Sequence, residues 1–282
     1  MSSVKNFQVT KITTTDRVEV PDLLAVEEPL EIRLGYGALD DRKQKNIAVT
    51  MRTPGHDIEL AIGFLFTEGL IVAQKDIVSA NYCEDVATEE EKGNVVRVEL
   101  HPEIEFALKK LERNFYTTSS CGVCGKSSIE SITTQCRLEI KNDPDFKVST
   151  EVIHQLPTTL REEQSVFEHT GGLHATGLFD VAGKLLMLRE DVGRHNAFDK
   201  VIGASVEKAS LPLDQSIVLV SGRLSFELVQ KAAMAGVRIL VAVGAPSSLA
   251  IDLAKSFQMT VIGFTRNDRF NIYSHPERIS DL

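Results

Sequence analysis

Cysteine is scarce in this 282-residue chain: the four thiols are Cys83, Cys121, Cys124 and Cys136. That is too few for the disulfide framework of a small secreted domain. Residues 1–10 hold no apolar stretch leading to a cleavage site, so the expectation is a cytoplasmic protein with reduced thiols. Long apolar runs are missing as well. Residues 237–245 are among the most apolar and only strand-sized, well short of the roughly 20 residues that span a bilayer. Positive charge is in deficit, with 31 Lys and Arg against 40 Asp and Glu and a net charge of -9. No chain-wide basic field is available to draw a phosphate backbone, and neither nucleic acid nor a membrane is an expected partner. With 18 Gly and 9 Pro the chain is neither disordered nor collagen-like. What is present is an ordinary globular composition, long enough for one large domain or two modest ones.

The first hundred residues read as a strand-rich module with one helix. Residues 31–34 and 46–51 alternate as strands do, and Thr53-Pro54-Gly55 is a helix start signal with Pro54 suited to the first turn. Ile58, Ala61, Ile62 and Leu65 follow at the spacing of one buried helix face, with His56 and Asp57 in solvated or capping roles. Residues 88–94 form a charged turn before a β-branched run at 95–100.

The second half alternates. A short helical region near 157–167 precedes a hairpin of 173–179 and 184–188 joined by Asp180-Val181-Ala182-Gly183. A helix from about Gly193, a strand at 216–220, a helix ending at Gly236, an apolar run at 238–243, a helix at 247–257 and a further run at 259–264 complete the order. Such alternation calls for an α/β layer with at least three strands buried between helices.

Cys121-Gly122-Val123-Cys124 is the sharpest local signal and has three readings. Structural zinc needs four ligands, and the other two cysteines stand alone. A thioredoxin-like centre belongs at a strand-to-helix junction, whereas this pair lies in a Ser/Thr/Gly-rich stretch. The third reading is a nucleophilic or carrier thiol on a glycine-flanked loop, with Lys126 favouring the thiolate. Cys83 and Cys136 read as inert thiols.

Four junctions in the second half carry small or anion-binding residues: 190–196, 221–225, 243–248 and 263–269. In an open α/β sheet such loops gather along one edge, where backbone N–H groups and arginines bind a nucleotide or pyrophosphate. Taken singly each is a helix cap, with Asp191, Ser221 and Ser247 as the capping side chains. The element order also resembles the cytidine deaminase-like fold, but Arg194-His195-Asn196-Ala197 lacks the general-base Glu, and Ser221-Gly222-Arg223-Leu224-Ser225 lacks the paired Cys ligands. A zinc-dependent nucleobase hydrolase is therefore disfavoured even on a shared fold.

The motifs at 120–126, 170–177, 190–200, 221–223 and 263–266 resemble those of the formate dehydrogenase accessory sulfurtransferases (FdhD type), a likeness running from about Glu28 to Ile279. It implies a carrier that takes sulfane sulfur from a cysteine desulfurase and passes it to the molybdenum bis-guanine-dinucleotide cofactor, bound as a substrate, to serve a formate dehydrogenase apoenzyme. Cys121 would carry the persulfide with Cys124 as helper. Phe264, Thr265, Arg266, Asn267, Asp268 and Arg269, with Arg194, His195, Ser221, Gly222 and Arg223, would bind the cofactor, and no metal would be held permanently. The resemblance also implies a homodimer. The expected architecture is α/β, with a smaller α+β domain at 1–116 and a cytidine deaminase-like domain at 117–282 that opens on the cysteine loop. His174 and His195 are open between lining the site and a hydrogen-bonded structural role, and His169 reads as structural. A non-catalytic cofactor-binding chaperone is the alternative function.

Overall fold

The computed structural model describes residues 2–86, 88–104, 138 and 143–281. The chain opens with an antiparallel ribbon of β1 (Val4–Ile12) and β2 (Arg17–Ala25). The strand-rich module follows: β3 (Glu28–Tyr36), β4 (Lys43–Arg52), α1 (Asp57–Thr67), β5 (Ile77–Tyr82) and β6 (Val95–Leu100), in a sheet of order β4-β3-β6-β5. The second half comprises β7 (Val148–Ser149), α2 (Thr150–Glu163), α3 (Ser165–Thr170), β8 (His174–Phe179), β9 (Leu185–Asp191), α4 (Arg194–Glu207), β10 (Ile217–Val220), α5 (Phe226–Met234), β11 (Ile239–Ala242), α6 (Ser248–Ser256), β12 (Thr260–Gly263), β13 (Asn271–Ser274) and β14 (Ile279–Ser280).

Six of these strands form one sheet of order β13-β12-β11-β10-β8-β9, parallel through β10, β11 and β12 and antiparallel elsewhere. The expected hairpin is β8–β9, and every residue of β10, β11 and β12 is buried. Strand alternation sorts their side chains between two cores. Val218, Val220, Leu240, Ala242 and Val261 join a cluster with Phe198, Val201, Leu228 and Leu253 of α4, α5 and α6. Ile217, Leu219, Ile239, Val241 and Ile262 face Ile153, Leu156 and Leu160 of α2.

The first cluster also takes in Leu30, Ile62, Leu65 and Val98 of the N-terminal module. The two halves therefore share a core, while the expected boundary at 116/117 lies outside the described residues. They meet where α1 crosses α4. A Cβ on Gly63 would stand 1.9 Å from the Asp199 carbonyl oxygen, and one on Gly203 would stand 1.8 Å from that of Glu59. The helices approach backbone to backbone, which only glycine permits. Close by, Lys231 Nζ lies 2.8 Å from Asp199 Oδ2 and donates to Thr67 Oγ1 at 2.8 Å, tying α5, α4 and α1 together.

Three local readings change. Pro54 lies outside α1, which starts at Asp57 after His56 turns the chain in a left-handed conformation, φ 58°. Asp57 is neither solvated nor a simple cap: it is buried against Arg52 Nη2 at 2.9 Å, accepts from Tyr82 Oη at 3.0 Å and receives the Gly55 N–H. The helical region near Pro157 begins at Thr150, capped by Ser149, and carries Pro157 within it.

Gly203→Ala is expected to cost roughly 3 kcal/mol or more, because a backbone oxygen must be displaced. Gly172→Ala, where the nearest atom is 3.8 Å away, should be nearly neutral. Thermal melts of the two variants compare these outcomes.

Candidate functional site

The sheet register brings the four junctions together. Val220 pairs with Ala242 and Val241 with Ile262 in parallel, so β10, β11 and β12 end at one edge. Thr176 near the start of β8 pairs with Val220, and His174 pairs with Asp191 at the end of β9, which adds the 190–196 junction. Hydrogen bonds staple neighbouring loops: Gly244 N donates to Gly222 O at 3.0 Å, and Phe264 N donates to Gly244 O at 3.0 Å. Glycine is needed at 244, since a Cβ there would meet Gly222 O at 2.8 Å and Arg223 Cα at 3.0 Å.

Arg194, His195, Ser221, Gly222 and Arg223 thus come together as expected, around His174. A Cβ on Gly222 would stand 3.3 Å from His174 Nδ1 and 3.8 Å from Arg194 Cδ. Among the described residues no carboxylate lies within ion-pair distance of Arg194 or Arg223, and Arg194 Nε is enclosed without a partner. Burial, reinforced by the charges of Arg194 and His195 and opposed by Asp191, lowers the His174 pKa, so this ring is neutral at pH 7. Among the described residues these guanidinium groups have no ion-pair partner within 4 Å, an arrangement suited to phosphate or another oxyanion. Helix α4, which Arg194 begins, has no side-chain cap, and the N–H of its N-cap residue Gly193 donates to Asp191 Oδ1 at 2.8 Å.

The 264–269 segment adjoins this edge through Gly244. Phe264 is held at φ 53°, a left-handed conformation costing about 1–2 kcal/mol in a non-glycine residue, and its ring is 45% exposed. Thr265 beneath it is fully buried, with its hydroxyl unpartnered. Arg266, Asn267, Asp268 and Arg269 are exposed. Arg266 is partly committed to the loop itself, its Nη1 donating to Val243 O at 2.8 Å and Thr265 O at 2.9 Å. Helix α2 braces the segment from below, with Thr158 Oγ1 donating to Asn267 Oδ1 at 3.0 Å and His154 Nδ1 standing 3.2 Å from Arg266 O.

Two of the three expected caps are reassigned. Ser247 caps α6 as expected, but α5 is capped by Ser225 and not by Ser221, whose Oγ accepts from Ala175 N at 2.9 Å and pins β8 to the junction. Asp191 is fully buried and 2.6 Å from Lys200 Nζ, accepting also from Thr53 N and Gly193 N. It fixes the junction to the N-terminal module instead of capping α4. Sequence reasoning missed Ser225 and Glu227 as partners of His195. His195 Nε2 is 3.2 Å from Ser225 Oγ and 3.5 Å from Glu227 Oε2, and Ser225 donates to Glu227 at 3.1 Å. The His195 hydrogen bond, against the opposing effect of burial, lowers the Glu227 pKa to about 2. A serine followed by an acid two residues on signals only a helix cap, because its partner lies 30 residues away in sequence. Cys121, Cys124, Cys136 and Lys126 lie outside the described residues.

Residues 25–280 match the model of the FdhD/NarQ family. The chain belongs to the FdhD/NarQ family. Relatives named sulfur carrier protein FdhD include one from Streptomyces coelicolor, 48% identical over 261 residues that cover 92% of this chain and 90% of the relative. Another, from Mycolicibacterium paratuberculosis, is 48% identical over 280 residues, 99% of this chain and 100% of the relative. A third, from Sulfolobus acidocaldarius, is 40% identical over 276 residues, 98% of each. The solved structure of a protein described as a formate dehydrogenase accessory protein from Desulfotalea psychrophila superposes with a TM-score of 0.72 at 24% identity, covering 99% of this chain and 100% of that one. It shows that the mixed α/β fold is shared. The FdhD/NarQ match spans both modules, the arginine edge and Cys121 and Cys124. Among the described residues no helix is long and apolar enough to cross a membrane.

A carboxylate with a lowered pKa contributes stability above its unfolded value, and that stability fades as pH falls toward the folded value. The stability advantage of the native chain over Glu227→Gln should therefore be full near about pH 5.5 and shrink steadily toward about pH 3, as urea titrations at each pH will show. A constant difference across that range means the pairing with His195 does not form.

Proposed function

We propose that this protein is a sulfur carrier that holds sulfane sulfur on Cys121 and delivers it to the molybdenum bis-guanine-dinucleotide cofactor of a formate dehydrogenase. The observation that carries this reading is family membership over residues 25–280, with near full-length relatives named sulfur carrier protein FdhD. The Cys121 and Cys124 pair supplies the chemistry and the arginine edge a means of holding the cofactor. In this reading the chain works in the cytoplasm as a homodimer, and residues 117–282 are deaminase-like in fold but not in chemistry.

The Cys121 thiolate attacks the outer sulfur of a cysteine desulfurase persulfide; the donor leaves as a thiolate and Cys121 becomes the persulfide. The Cys124 thiolate then attacks the inner sulfur, Cys121 Sγ. A Cys121–Cys124 disulfide forms, and the outer sulfur departs as hydrosulfide toward the metal, taking the electron pair of the broken S–S bond. A dithiol reductant restores the pair. Arg223 and Arg194, which have no ion-pair partner among the described residues, hold the cofactor's phosphates with Arg269, while exposed Phe264 offers its ring to a base. His174, neutral beside them, accepts or donates a hydrogen bond without adding charge.

Incubated with a desulfurase and cysteine, the full chain should gain one sulfur atom on the peptide containing Cys121, and Cys121→Ala should gain none by mass spectrometry. Absence of the extra sulfur in the native chain leaves the non-catalytic chaperone. Cys124→Ala should load normally yet release sulfur only when reductant is added; release at the native rate without it would make the relay wrong. Arg223→Ala should weaken binding of a guanine nucleotide by about tenfold, the worth of one charge-assisted hydrogen bond. Unchanged affinity in both Arg223→Ala and Arg266→Ala removes these side chains from the site.

A further inference from the structure

Helix α2 carries two side chains that reach the 264–269 segment and that the sulfur-carrier reading does not use. The segment joins β12 to β13, where Gly263 pairs with Asn271. Arg266 N donates to Arg269 O at 2.8 Å, which closes a tight loop with Asn267 and Asp268 at its tip. A left-handed residue such as Phe264 persists only where its surroundings over-determine the conformation. The sheet side contributes two bonds, Phe264 N to Gly244 O at 3.0 Å and Thr265 N to Ala242 O at 3.2 Å. The α2 side contributes two more.

His154 and Thr158 stand at i and i+4 and so share one face of α2. The adjoining face, with Ile153, Leu156 and Leu160, is buried in the core beneath β11 and β12, which makes the helix a firm base. His154 Nδ1 lies 3.2 Å from Arg266 O; a carbonyl oxygen only accepts, so Nδ1 carries the proton. The same ring packs at a tilt on Phe270, with centroids 4.9 Å apart. Thr158 Oγ1 donates to Asn267 Oδ1 at 3.0 Å.

The last bond decides what the loop tip can offer. A side-chain amide has one acceptor oxygen and one N–H2 donor, and they point apart. With Oδ1 engaged by α2, the Nδ2–H2 group is directed away from the helix. Asn267 is exposed, and its Nδ2 has no hydrogen-bond partner among the described residues. An asparagine that pairs with adenine needs its oxygen free to accept from the 6-amino group, and here that oxygen is occupied. The free N–H2 instead complements the 6-oxo acceptor of guanine and meets the 6-amino group of adenine donor against donor.

We propose that Thr158 is a positioning residue that orients the Asn267 amide, so that Asn267 selects a 6-oxopurine base, with His154 holding the loop backbone beside it. The proposal rests on the reading that this edge holds a guanine nucleotide, and it names the residues that distinguish the base.

Binding of GDP, IDP and ADP to the full chain is measured by titration calorimetry. GDP and IDP share the 6-oxo group, and both should bind about tenfold more tightly than ADP, as one hydrogen bond gained or lost requires. Thr158→Val keeps the shape without the hydroxyl and should bring the preference below about threefold, whereas Thr158→Ser should retain it. Thr159→Val, which removes a hydroxyl bonded to Gln155 O within α2, should behave as the native chain does. Asn267→Ala, at an exposed tip, should lose the preference without altering the helix, so the test stands even if Thr158→Val folds poorly. Failure of the native chain to bind any of the three nucleotides overturns the nucleotide-holding reading and this proposal together. GDP bound no better than ADP, IDP behaving as ADP does, or a preference that survives in Asn267→Ala or in folded Thr158→Val overturns the base selection alone.

Discussion

The placement of the arginine edge depends on the contact between α1 and α4, where Gly63 and Gly203 let two helix backbones touch. That contact fixes α4, and α4 carries Arg194 and His195 on its first turn. A side chain at either glycine would collide with a main-chain oxygen, so relief would require moving a helix and not turning a rotamer. The core around the crossing is continuous from the strand-rich module to the six-stranded sheet. A shift of α1 would therefore be felt by the loops at the strand ends.

Buried polar groups set the register of that crossing. Lys200 reaches Thr53 O at 2.9 Å and Asp191 at 2.6 Å, so one lysine holds the loop before α1, the end of β9 and its own helix. Asp191 in turn accepts from Asn196 Nδ2 at 3.0 Å, and Asn196 donates to Met51 O at 2.7 Å. Lys200, Asp191, Thr53 and Asn196 are buried, and loss of one strands the others, which makes the network exacting about geometry even where its net contribution to stability is small. The residues nearest the arginine edge are thereby built on rigid supports, while Arg223 and Arg269 are exposed.

Much of the architecture was legible from periodicity. The hairpin, the alternation from α4 to β12 and the gathering of four junctions along one edge all follow from apolar spacing and from Gly, Ser and Asp at the breaks. Boundaries and caps were less so. Ser221 and Ser225 are both plausible caps by type, and only the position of β8, whose Ala175 N–H needs an acceptor, separates their roles. Asp57 reads as a solvated or capping residue and Asp191 as a helix cap. Their true partners, Arg52 with Tyr82 and Lys200 with Thr53, come from strands and helices that sequence spacing does not bring near.

By itself the sequence determined the α/β class, the cysteine pair, the family likeness and the presence of arginines at the strand ends. These are properties of local pattern, because a helix face repeats every few residues and a motif is contiguous. Only the tertiary structure decided which charges are free and which are spent. Arg194 and Arg223 form no ion pair among the described residues, Arg266 is partly turned back on its own loop, and His195 is held by Ser225 and Glu227. Whether a charge is available depends on what lies within about 4 Å of it, and in a folded chain those neighbours come from distant parts of the sequence.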